Sequence, residues 1–219
     1  KRDSLFVVGH ISNFHTHKGG VWKPLELGLK EKVEQTTFYR TLLDAMIFGI
    51  CMIIALYHLI IYSQRREESA NAIFSFMCAV AGFRHFITSR FWQGIGFEPS
   101  VEAFRWLLAF EWITMPVGVL SFALFTLVLL PSVGFRRLTY LVGGGLGFPL
   151  IAFALIADTA KVNSVLFLYQ IHLVVGALAV LVYLSMRAYQ RNQVARWALL
   201  AGGVLFLGIV NDIAFSQGI

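Results

Sequence analysis

Polar and ionisable side chains stand inside otherwise apolar stretches of this chain: Asp44, Arg84, His85, Glu111, Gln170, His172, Asn211 and Asp212. A charge in hydrocarbon costs roughly 2.5 kcal/mol or more, so each such residue needs a partner or a purpose. Counted from the ends of the apolar runs at ~1.5 Å per residue, Arg84, Glu111, His172 and Asp212 fall roughly 8–12 Å below one surface of a ~30 Å core. Asp44, His85, Gln170 and Asn211 fall in or near the same layer. Two chemistries fit a layer drawn from several helices. Arg84 can be neutralised by Glu111 or Asp212 in a structural network, or the layer can form a polar pocket that senses a ligand or exchanges between two hydrogen-bonded states. Pro116 and Pro149 could shape such a pocket by kinking their helices.

Other chemistry finds less support. His58 sits near the far end of the first apolar run and is read as a structural histidine that snorkels or bonds a neighbouring helix. His85 and His172 share a depth, but two lone histidines make a weak case for haem, and no cofactor is assigned. His10, His15 and His17 are read as a solvated loop, not a zinc or copper site, so no metal is assigned. Cys51 and Cys78 fall within apolar runs and serve as small packing residues. The chain carries no phosphate-binding loop, Ser/His/Asp arrangement, HExxH or CxxC, and no catalytic residue is named.

The elements that hold the polar layer are membrane helices. Of 219 residues, 58% are hydrophobic and only 14% charged, well below the ~25% charge of soluble domains. Six apolar spans are expected at about 40–63, 70–92, 105–130, 139–157, 164–186 and 197–215. Gly143-Gly-Gly-Leu-Gly147 lies within one of them, where small residues serve close helix contact. The net charge of +6 is spread over short loops, which points to a membrane and not to nucleic acid.

Loop charge sets the orientation. Arg65 and Arg66, Arg136 and Arg137, and Arg187, Arg191 and Arg196 occupy alternate loops, while the others hold Glu98, Glu102, Asp158 and Lys161. The excess of arginine places the first set in the cytoplasm and the N-terminus outside. Trp92 and Trp106 at one face, with Tyr189 and Trp197 at the other, are read as interfacial belts.

Residues 1–34 differ from the rest. Residues 4–12 and 21–27 read as two short strands around a Gly19-Gly20 turn, the last part of an external β domain, and residues 30–35 as a polar linker into the bundle at 35–219. Because the chain opens on Lys1 and ends outside after six spans, it is expected to be a piece of a longer protein with a seventh span beyond Ile219.

Tyr57-His-Leu-Ile-Ile-Tyr-Ser-Gln-Arg-Arg-Glu-Glu68, followed by Phe74-Ser-Phe-Met-Cys78 and Phe83-Arg84, resembles the bacterial seven-transmembrane receptors with diverse intracellular signalling modules. Tyr57, His58, Arg65, Arg66 and Glu67 carry the likeness, and the Asn211-Asp212 pair fits it. Val8-Gly-His-Ile-Ser-Asn-Phe-His-Thr-His-Lys-Gly-Gly20-Val-Trp22 is similar to the last strands of the jelly-roll, carbohydrate-binding-like domain that often precedes such bundles. The resemblance implies an all-α membrane bundle in the bacterial inner membrane and an extracellular small molecule or carbohydrate as ligand. It also implies a homodimer, and an output module such as a histidine kinase, a diguanylate or adenylate cyclase, or a phosphatase.

A transporter or channel with its site in the polar layer is the alternative. It requires polar residues along the other half of the bundle, which holds little beyond His58. A lipid-modifying enzyme would need clustered nucleophiles or metal ligands. A plain membrane anchor would leave the polar layer without a role.

Overall fold

The computed structural model describes residues 28–97 and 99–217. The two expected strands, the Gly19-Gly20 turn, the three neighbouring histidines, Glu98 and the expected seventh span all lie outside the described residues.

Helix α1 runs unbroken over Lys30–Gln64. Residues 30–35, expected as a linker, are its first turns. Within it, the Thr36 and Thr37 hydroxyls donate back to the carbonyls of Lys32 and Val33 at 2.9 Å each, so these polar side chains sit in the helix with their donors met. A tight turn at Arg65 leads to α2, Ser69–Ser89. The expected second span reached residue 92, but Arg90 takes a left-handed conformation with φ 54° and ends the helix. The short α3, Phe91–Gly94, then folds back over the hairpin, and its Phe91 ring packs between Phe48 and Phe86. Trp92 is therefore buried to 2% exposure and is no belt residue, whereas Trp106, Tyr189 and Trp197 are exposed.

Helix α4, Val101–Leu129, starts at Ser100, whose Oγ accepts from the Ala103 amide at 3.2 Å. The fourth span, Val133–Ile156, is composite. It joins α5 (Val133–Thr139), a π-helical segment (Tyr140–Gly147) and α6 (Phe148–Ile156). After the short α7, Thr159–Ser164, come α8, Leu166–Tyr189, and α9, Gln193–Gln217. Among the described residues, six helical stretches are long and apolar enough to cross a membrane.

The packing has a centre and two edges. Helix α4 contacts α2, α8, α6 and the π segment, whereas α1 packs mainly on α2 and α9 on α8. One apolar cluster gathers Trp112, Met115, Ala154, Val162 and Tyr169 near the start of α4. A second gathers Ala123, Leu130, Phe135, Val180 and Leu184 near its end, where Phe135 stacks on Tyr183 with centroids 4.0 Å apart. Large apolar side chains such as Ile53, Val204 and Leu207 point outward, as lipid-facing residues must.

Between the clusters, backbones meet at glycine. A Cβ on Gly176 would overlap Val119 Cγ1, and one on Gly143 would overlap Leu120 Cδ1. The two cases differ in what can yield. Val119 is β-branched and stiff on its helix, whereas a leucine terminus can swing aside. Gly176→Ala should therefore lower stability by about 1–3 kcal/mol and Gly143→Ala by much less. Melting in detergent tests this, and adding Val119→Ala should restore the Gly176→Ala variant. Equal melting of the two glycine variants would refute the packing argument.

Candidate functional site

The arginines of alternate turns define one face of the bundle, and the segments around Gly94–Pro99 and Asp158–Ser164 define the other. Polar side chains gather in four groups across the helices.

The first lies between α1 and α2 beneath α3. His85 Nε2 is 3.2 Å from Asp44 Oδ1, within ion-pair distance but off the line needed for a hydrogen bond. Both side chains are about one-third exposed or less. The second joins α2 to α4. Arg84 Nη1 donates to the Glu111 carbonyl at 3.0 Å and to Thr114 Oγ1 at 3.2 Å. Thr114 itself donates to the Glu111 carbonyl at 2.7 Å, so Arg84 reads a backbone oxygen fixed by its own helix.

The third group joins α8 to the π segment. His172, buried to 5% exposure, places Nε2 3.0 Å from the Val142 carbonyl. A carbonyl only accepts, so Nε2 carries the proton. Gly147 lies beside both this ring and Pro116: a Cβ built there would stand in ordinary contact, 3.5 Å from both His172 Nε2 and Pro116 Cβ. Thr114 and Pro116, two residues apart on α4, thus bring the second and third groups to neighbouring positions on one helix. Gln170 is buried on α8. Asn211 is exposed, and the side chain of Asp212 lies outside the described residues.

His85 Nε2 faces Asp44 on α1, and His172 Nε2 faces the Val142 carbonyl in the π segment. Among the described residues no group of three His, Cys, Asp or Glu is placed to hold a metal. Cys51 and Cys78 are unpaired and half-buried.

A fourth network closes the α1–α2 hairpin at the arginine face. His58 Nδ1 donates to Asn71 Oδ1 at 2.8 Å, Asn71 Nδ2 to Glu68 Oε2 at 2.8 Å, and Arg65 Nη1 to Glu68 Oε1 at 3.2 Å. The His58 ring also packs edge-on against Tyr57 and Phe74. Of the residues singled out in the sequence, Arg66 and Glu67 stay exposed at the turn. Asn71, Thr114 and the carbonyl of Val142 were not singled out. Only the placement of Asn71 three residues after Glu68, one helical turn on, could have pointed to it.

A family model described as 7TM diverse intracellular signalling matches residues 40–219. No curated protein and no solved structure matches the chain.

The His58–Asn71 bond yields a measurable coupling. His58→Phe should keep the ring contacts yet lose about 0.6–1.7 kcal/mol, the span of interhelical hydrogen bonds in membranes. Asn71→Ala should cost less in that background than in the unsubstituted chain, since only its bond to Glu68 then remains to be lost. Reversible unfolding of the two single variants and the double variant measures the cycle, and full additivity would refute the bond's contribution.

Proposed function

The chain belongs to the 7TM diverse intracellular signalling family, and from that premise we propose that its bundle relays an external signal to an output module inside the cell. The observation that carries the reading is α1. Its 35 residues span roughly 52 Å at ~1.5 Å per residue, well beyond a ~30 Å hydrocarbon core. An external domain ending ahead of Lys30 would therefore be joined to the membrane by a rigid rod. A rotation or slide imposed outside moves the whole of α1.

From α1 the displacement has defined routes. It reaches α2 through Asp44–His85 near one end and His58–Asn71 near the other. Arg84 passes it to α4, whose Thr114–Pro116 segment lies beside His172 and the π segment. Such a relay requires two packings of similar energy that a ligand biases by its differential affinity. The polar layer supplies bonds that exchange in discrete steps.

In this reading the protein is a bacterial inner-membrane receptor with its N-terminus outside and its arginine face in the cytoplasm. The ligand is a small molecule or carbohydrate held by a jelly-roll domain that ends in the first residues. A seventh span follows Ile219, and the output module is a histidine kinase, a cyclase or a phosphatase working as a homodimer.

Two experiments test it. Sequencing the source gene past Ile219 should find one more span and a catalytic signalling module, and a stop codon would remove the receptor reading. In the full-length protein, Thr41→Cys with Gly94→Cys should lock α1 to the α2–α3 corner by a disulfide. The Thr41 Cβ lies 3.4 Å from a Cβ built on Gly94, close to the ~3.8 Å of a disulfide. Oxidation should freeze the output at one level and reduction should release it. Output that ignores both the lock and Arg84→Ala would overturn the relay.

A further inference from the structure

A crevice opens between α4 and the α6–α7 corner on the face opposite the arginine turns. Arg105, Trp106, Ala109 and Trp112 of α4 meet Ala154 and Val162 there. The free space is about 10 Å³, room for one water-sized atom. Trp112 belongs to the underlying core cluster and is only 6% exposed. Its ring packs on Tyr169 with centroids 5.7 Å apart, and the Tyr169 hydroxyl is engaged by the Leu150 carbonyl at 2.7 Å. Trp112 Nε1 is buried with no acceptor among the described residues.

An indole N–H can only donate, and a buried donor left unmet costs ~1–3 kcal/mol. At the rim, Arg105 is exposed and its guanidinium also only donates. The Trp106 indole likewise only donates, and the remaining lining side chains are apolar. A lining of donors without a side-chain acceptor favours a ligand that brings acceptor oxygens and negative charge. A neutral hydroxylated molecule would leave its own O–H donors without side-chain partners.

We propose that this crevice binds an anionic oxygen group, a carboxylate or phosphate. One oxygen meets Trp112 Nε1, Arg105 holds the charge, and Trp106 flanks the group at the rim. The group can come from a free small anion or from the headgroup of a phospholipid in the adjoining leaflet, towards which Trp106 and Leu155 are exposed. The proposal goes beyond the relay, because binding is read at Trp112 and not at any output.

The test uses the ¹⁵N-labelled chain in maltoside micelles, which carry no phosphate, and in nanodiscs. The Trp112 indole resonance is assigned by its loss in Trp112→Phe, then followed in the micelles as inorganic phosphate or acetate is added. A saturable downfield displacement is expected, with the apparent affinity about tenfold weaker in Arg105→Gln and less reduced in Arg105→Lys. In nanodiscs containing phosphatidylglycerol, a resonance already displaced and deaf to phosphate identifies the headgroup as source. One that still titrates identifies the free anion. A resonance indifferent to both anions and to phosphatidylglycerol, as a site for water alone would give, overturns the proposal. So does a displacement unchanged in Arg105→Gln. If the resonance is broadened, a phosphate-dependent rise in melting temperature that Trp112→Phe abolishes supports the site, and its absence from the unsubstituted chain counts against it.

Discussion

In hydrocarbon, a polar group that cannot bond within the protein cannot bond at all, and this constraint shapes the inter-helix contacts. Many of the donors that cross from one helix to another end on a backbone carbonyl. Ser75 bonds the carbonyl of Ala55 at 2.6 Å and Tyr183 that of Leu130 at 2.6 Å. Tyr169 does the same to Leu150, Arg84 to Glu111 and His172 to Val142. Carbonyl oxygens have a second lone pair free while holding their helical bond. A helix can thus receive a neighbour without giving up its own structure.

Helix α4 collects these demands. Pro116 lies inside it and leaves the carbonyl of Trp112, four residues back, without its usual donor. The segment around Pro116 is flanked by Arg84 on the α2 side and by His172 on the α8 side. The π segment opposite has wider turns than an α-helix, and Gly143 and Gly147 keep its wall thin against Leu120 and Pro116. The middle of the bundle is therefore both closely packed and irregular. That combination suits a region with more than one arrangement, because no long regular ladder must break for it to shift.

The spans were legible because apolar runs bounded by charge leave one physical solution in a membrane. Of the Gly143–Gly147 run, read as close contact, Gly143 meets Leu120 too closely for a side chain, whereas Gly144 faces open space. The π geometry was not legible, since an apolar, glycine-rich run does not by itself distinguish π turns from α turns; nor was the contact that His172, some thirty residues away, makes with Val142 inside it. Depth counting groups Arg84, His85 and His172 in one layer, but depth says nothing about direction around a helix. Adjacent in sequence, Arg84 and His85 turn about 100° apart, and so face α4 and α1 respectively. Trp92 was misread because a left-handed Arg90 cannot be foreseen from an arginine.

The order of neighbours follows the order of the chain. Helix α1 lies on α2, α2 on α4, and α9 on α8, with turns of only a few residues at Arg65–Glu68 and Gln190–Asn192. Short separations make each pairing entropically inexpensive and fast. Each helix also has its internal bonds complete before it meets a partner. During biosynthesis the α1–α2 hairpin can therefore form as soon as its second helix enters the bilayer, without waiting for the centre of the bundle. The α8–α9 pair can dock last onto an α4 that is already in place.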